Sequence, residues 1–184
     1  MCKRNPPGFA VARSVAAYEG PLREAICALK FRRSKAVADP LARLLVQFAP
    51  REVLRGVEAV VPVPLHKDRL TQRGFNQAEL LARPLAEALG VPCLADALQR
   101  VRQEAPQAEL GAADRWHNVE EAFVPGGVVQ GPLLLVDDVF STGATTGACA
   151  GALLKGGAQR VAVLTVARTV LRGAPRPAVL LSHA

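Results

Sequence analysis

Three short stretches of this chain are strongly apolar: Val57–Val63, broken only by Glu58, the continuous run Leu133-Leu134-Leu135-Val136, and Val161–Val166, broken only by Thr165. A short continuous run with no helical spacing predicts a strand covered on both faces, as in a parallel sheet. Pro62-Val63-Pro64 ends the first run by stiffening the backbone into a loop. Phe9–Ala17 is apolar and tolerant of extended backbone, which predicts a further strand. Helical spacing fills the intervals. Pro21 suits a first turn, and Leu22, Ile26 and Leu29–Lys30 form a one-sided stripe behind it. Asp39-Pro40 predicts a cap and first-turn proline for a helix running to about Ala49. Asn76 predicts the cap of a helix over Gln77–Leu89, closed by Gly90 and kinked at Pro84. Ala144–Lys155 predicts a last helix, ended by Gly156-Gly157.

The end of the chain forms a unit. Leu133–Val136, a polar loop over Asp137–Gly143, the helix Ala144–Lys155 and the run Val161–Val166 give strand, helix, strand in about 35 residues. This predicts parallel strands joined by a right-handed crossover. The fold class expected is α/β, a parallel sheet flanked by helices, in a single domain over residues 1–184. Such sheets bind ligands at the carboxyl ends of their strands. Asp137, Asp138 and the segment Ser141-Thr142-Gly143-Ala144-Thr145 fall on that edge.

Composition narrows the class. Half of the residues are hydrophobic and 21% are charged, so the chain can bury a core without disulfide or metal staples. No apolar run approaches the ~20 residues that span a bilayer. The basic start Met1–Pro7 has no apolar segment behind it, so no secretory signal is expected and the chain reads as cytoplasmic. Cys2, Cys27, Cys93 and Cys149, and likewise His66, His117 and His183, are scattered, and no zinc is expected. Cys27 and Cys149 sit among apolar residues and predict buried packing thiols.

Charge changes the picture further. The net +7 is uneven: residues 1–57 hold 11 Lys and Arg against 4 Asp and Glu, whereas residues 58–132 hold 7 against 10. A basic N-terminal third is compatible with an anionic partner, nucleic acid or a polyphosphate, and equally with a solvated face. Arg32, Arg33 and Lys35 cluster between the first two predicted helices.

The chemistry concentrates in Leu133–Thr146, LLLVDDVFSTGATT. Two carboxylates at a strand end can accept hydrogen bonds from the 2′ and 3′ hydroxyls of a ribose, or hold Mg²⁺ through water. The loop of small residues that follows can close its backbone N–H groups around a phosphate at a helix N-terminus. Ser141, Thr142, Thr145 and Thr146 add hydroxyl donors. The spacing of diol acceptor and phosphate cradle suits a ribose 5-phosphate. The plain alternative is a β–α loop in which Thr142 caps a helix. The chain has no Gly-Lys-Ser/Thr phosphate loop and no G-x-G-x-x-G.

This string resembles the phosphoribosyl-pyrophosphate (PRPP) signature of type I phosphoribosyltransferases. Tyr18–Arg23 with Leu29-Lys30-Phe31, Val61–His66, Arg73-Gly74-Phe75-Asn76-Gln77, and Asn118-Val119 with Ala122-Phe123 resemble the ComF/GntX family of competence-associated, phosphoribosyltransferase-like proteins. The resemblance runs from about Cys2 to Arg168. It implies a type I phosphoribosyltransferase fold that binds PRPP with Mg²⁺. Asp137 and Asp138 are then the catalytic and metal-binding pair, Asp137 on the ribose diol and Asp138 on the diol or acting as general base. Ser141, Thr142, Gly143, Ala144 and Thr145 cradle the 5-phosphate. Pro62 and Val63 lie in the pyrophosphate loop, and Arg69 and Arg73 neutralise the diphosphate, with Lys30 a weaker candidate. The family usually begins with a cysteine-rich zinc module. This chain starts at its last cysteine, so either that module is absent or the start lies further upstream.

Two functions follow. One is an enzyme that displaces pyrophosphate from C1 of PRPP, with a role in DNA uptake. The other is a non-catalytic competence factor that keeps the pocket and binds single-stranded DNA or competence-machinery proteins. The acceptor base is not legible; residues 91–130 and 169–184 remain for its recognition. Gly74 beside Phe75 predicts an exposed, mobile functional loop, or else Phe75 staples the next helix.

Overall fold

The computed structural model describes residues 8–102 and 122–169. Four strands form the main sheet: β1 (Val11–Ala17), β2 (Ala59–Pro62), β5 (Pro132–Phe140) and β6 (Arg160–Arg168), in the order β1-β6-β5-β2, every pair parallel. All four carboxyl ends therefore share one edge. The expected α/β class, a parallel sheet flanked by helices, is the observed one. β3 (Leu98–Arg100) and β4 (Phe123–Pro125) make a separate antiparallel ribbon.

The apolar runs are explained by burial on both faces. Along β5, Leu133 and Leu135 enter one core with Val61, Val163, Cys149 and Leu153, while Leu134 and Val136 enter another with Val60, Leu164, Leu81 and Leu45. The first core lies under α6 (Ala144–Lys155) and the ribbon. The second lies under α1 (Gly20–Phe31), α2 (Ala38–Phe48) and α5 (Gln77–Leu89). Pro62 is tolerated because β2 is the last strand of the ladder, where a missing N–H costs least. The backbone of residues 92–94 covers that edge, with Val60 N donating to Pro92 O at 2.9 Å and Leu94 N to Val60 O at 2.8 Å.

Three expectations need correction. Asp39 is not a cap: a short 3₁₀ turn, Lys35–Val37, precedes α2, Val37 takes the cap position, and Asp39 pairs with Arg43 within the helix. The polar loop does not begin at Asp137: β5 continues to Phe140 because Asp137 pairs with Thr165 and Phe140 with Arg168 of β6. Phe75 is not exposed: it is 8% accessible and packs in the core beneath α2 and α5. Cys149 is fully buried as expected, whereas Cys27 is only partly so.

Candidate functional site

Because β5 is still extended at the acid pair, successive side chains leave it on opposite faces. Asp138 goes to the side of α1, where its Oδ1 lies 2.8 Å from the ammonium of Lys30. Asp137 stays beside α6, close enough to push the buried Cys149 thiol further up after burial has already raised it. The Asp137 side chain folds back to accept a hydrogen bond from Asp138 N at 2.8 Å. Burial first, then the neighbouring Asp138 carboxylate, push Asp137 up to about 8, against the opposing pull of Lys30.

Asp138 is 2% exposed, and its second oxygen, Oδ2, is buried with no hydrogen-bond partner. A buried acceptor without a donor is costly. The pair therefore fits either hydroxyl donors from a ribose or a hydrated Mg²⁺, which would be held by Asp137 and Asp138. When bound, such a cation would neutralise charge on a leaving diphosphate.

Loop 141–143 leads directly into α6. Gly143 takes a left-handed backbone (φ +84°), and a Cβ there would meet the Phe140 ring at 2.8 Å. Thr142 Oγ1 accepts from Ala144 N at 3.3 Å, and Thr146 donates to Gly143 O at 3.2 Å. The cap position itself belongs to Gly143 and not to Thr142, and the first turn carries no acidic side chain that would repel an anion. Ser141 and Thr142 are exposed, and Ala144 and Thr145 are half-buried.

The segment after β2 comes to the same place. Val63 N donates to Val136 O at 2.9 Å, which sets Pro62 and Val63 beside the residue preceding Asp137. Asn76 fixes this loop from behind. Its Nδ2 donates to Val63 O at 3.0 Å while its Oδ1 caps α5 by accepting from Ala78 N at 3.1 Å. Between them runs α4 (Lys67–Arg73), capped by His66 through Asp68 N and ended at Gly74, whose backbone is left-handed (φ +81°). Arg69 and Arg73 lie one turn apart on α4 and share a side. Arg73 donates to Gln77. Burial pulls the Arg73 guanidinium below its ordinary value, while the Asp138 charge draws it back.

Arg69 and Arg73 line a cleft of roughly 480 Å³ with Gln72 and with Lys30, Phe31 and Arg33 from the end of α1. Sequence reasoning missed Phe31, Arg33 and Gln72 here and underrated Lys30. Only the chain fold brings α1 to α4 and β5, so no local pattern could announce it. Arg33, from the basic cluster that follows α1, lies on the cleft wall. Removing one partner from a buried pair such as Lys30–Asp138 typically costs about 3–5 kcal/mol.

The segments reserved for acceptor recognition are only partly placed. Residues 92–94 cover β2, and the ribbon packs along α6, with Pro125 near Gly156 at the end of the helix away from loop 141–143. Residues 103–121, including Asn118 and Val119, and residues 170–184 lie outside the described residues, as does Cys2.

No family model matches the chain. Curated relatives do. It is 40% identical over 174 residues to the DNA utilization protein YhgH of Salmonella typhimurium, covering 92% of this chain and 77% of that protein. It is 34% identical over 175 residues to competence protein F of Haemophilus influenzae, covering 91% and 76%. The chain belongs to the ComF family. A further ComF relative, competence protein ComFC of Streptococcus pneumoniae, is 33% identical over 75% of this chain and 61% of its own length. Among solved structures, the B. subtilis glutamine PRPP amidotransferase complexed with ADP and GMP superposes at TM-score 0.48 with 24% identity, covering 72% of this ComF chain and 26% of that one. Orotate phosphoribosyltransferase from Aeropyrum pernix superposes at 0.41 with 19% identity, covering 71% and 59%. No described helix of the ComF chain is long and apolar enough to cross a membrane.

Proposed function

We propose that this chain is a PRPP-binding phosphoribosyltransferase-like protein that acts in the handling of incoming DNA. The observation that carries the ligand is the buried Asp138 oxygen without a donor, beside a loop that enters α6 with no acidic residue in its first turn. A ribose diol supplies the donors for the acid pair, the 5-phosphate takes the N-terminus of α6, and the diphosphate takes the cationic cleft. Transfer would break the C1–O bond to pyrophosphate and form a bond from C1 to an acceptor nitrogen, whose proton leaves to Asp138 or water. Arg69 and Arg73 stabilise the charge that grows on the leaving group. The names of the relatives, which refer to DNA utilization and competence, support the cellular role.

The test is a thermal shift with PRPP and Mg²⁺, followed by pyrophosphate release across a panel of bases. A ligand at 100 times its dissociation constant adds ~2.7 kcal/mol of stability. A shift together with release supports the enzyme. A shift with no release for any base supports the second reading, a binding factor that retains the pocket, which the exposed Arg32, Arg33 and Lys35 favour. No shift at millimolar PRPP removes both.

A further inference from the structure

Lys30 belongs to two places. Its ammonium sits on Asp138 Oδ1 at 2.8 Å, and its side chain also lines the cleft that Arg33, Arg69 and Arg73 make cationic. Asp138 is almost wholly enclosed and keeps Oδ2 without a donor. One carboxylate is thus held by an internal cation on one oxygen and open to a ligand on the other. The same cation borders a cavity walled by like-charged groups.

We propose that Lys30 is a positioning residue that couples the acid pair to the cleft. When ligand hydroxyls bond to the open Oδ2 of Asp138, they share the negative charge that Lys30 alone had balanced and weaken its hold on Oδ1, and the ammonium turns into the cleft and onto an anionic group held there. The proposal rests on the phosphoribosyl reading of the site and adds how its two halves communicate. The side chain has the means: three donors on a flexible four-carbon stem can change partner without backbone movement. Arg73 lacks this freedom, because it is half-buried and bonded to Gln77. Four like charges around one cleft repel one another, and Asp138 draws one of them away. An anion in the cleft reverses the preference. Linkage then requires that each ligand tighten the other by the same factor.

The probes are inorganic pyrophosphate for the cleft and ribose 5-phosphate for the acid pair and loop, titrated calorimetrically into the intact chain in EDTA. In the unmodified protein, saturating ribose 5-phosphate should tighten pyrophosphate binding by about 5-fold or more, the low end of ordinary coupling, and the reverse titration should give the same factor. In Lys30→Met the factor should fall to about one, with pyrophosphate still held by Arg69 and Arg73. Lys30→Met leaves a buried carboxylate alone and so threatens folding. The double variant Lys30→Met with Asp138→Asn is therefore measured beside it and should also show a factor of about one. If both probes bind and the coupling survives in the double variant, or is absent from the unmodified protein, Lys30 does not couple the two halves. If neither probe binds the unmodified protein, the phosphoribosyl reading itself has failed, and this inference with it.

Discussion

At the residue scale, each member of the acid pair has its own environment. Asp138 is balanced by Lys30, whereas burial and Asp138 hold Asp137 toward its protonated form, to about 8. An unfolded aspartate titrates near 3.9. Between roughly pH 4 and 8 the native chain therefore keeps a proton that the unfolded chain releases, and its stability falls as pH rises through that window. Urea denaturation from pH 5 to 8 should show this decline, and Asp137→Asn should flatten it relative to the parent. An identical pH slope in the variant would mean that Asp137 is ionised throughout. Gly143 makes the second residue-scale prediction. A valine there takes an unfavourable left-handed backbone and drives its Cβ into Phe140. Gly143→Val should lose the thermal shift with both ribose 5-phosphate and PRPP, and normal binding of both would remove the loop from the phosphate site.

At the element scale, the corner Arg73-Gly74-Phe75-Asn76-Gln77 joins the site to the core. Gly74 ends α4, Phe75 anchors the corner beneath α2 and α5, and Asn76 caps α5 while holding Val63 O. Asn76→Ala removes the cap and the clamp together. It should cost ~1–2 kcal/mol in chemical denaturation and should weaken pyrophosphate binding as the loop loses its fixed place. A stability loss with unchanged pyrophosphate affinity would leave Asn76 a cap only. Elements with local signals were legible: Asn76 and Gly90 bracket α5, Gly156 follows α6, and short apolar runs mark β2, β5 and β6. What depends on distant partners was not. The sequence Val136-Asp137-Asp138 turns polar and reads as a loop, yet pairing with Thr165 through Arg168 keeps it extended. Phe75 beside glycine reads as an exposed loop, yet the turn from α4 to α5 carries it inward. Of the candidate site, the acids and the loop stood out by type and spacing, and the two arginines only through the family resemblance. The contribution of α1 was not, since Lys30 meets Asp138 only through the fold.

At the scale of the whole molecule, the basic cluster after α1 adjoins the candidate ligand cleft. Arg32, Arg33 and Lys35 are all exposed at the end of α1, but they are not equivalent. Arg33 lines the cleft, Lys35 lies 5.3 Å over the Phe75 ring, and Arg32 is absent from the cleft wall. A surface that tracks the backbone of single-stranded DNA should bind weakly and without sequence preference, with a slope of about −0.7 per phosphate neutralised in log affinity against log salt. Arg32→Glu should therefore weaken oligonucleotide binding and leave pyrophosphate affinity unchanged. Arg33→Glu should weaken both, because it places a carboxylate on the wall of the cleft proposed for the diphosphate. Pyrophosphate should in turn compete with the oligonucleotide in the parent protein and less so in Arg33→Glu. Fluorescence anisotropy with a labelled single strand at low and high salt, with and without pyrophosphate, measures each of these. If binding is independent of salt, or if Arg32→Glu binds DNA as the parent does, the cluster only keeps the protein soluble. If DNA binds but pyrophosphate does not compete, the DNA surface and the cleft are separate, and Arg33 serves the cleft alone.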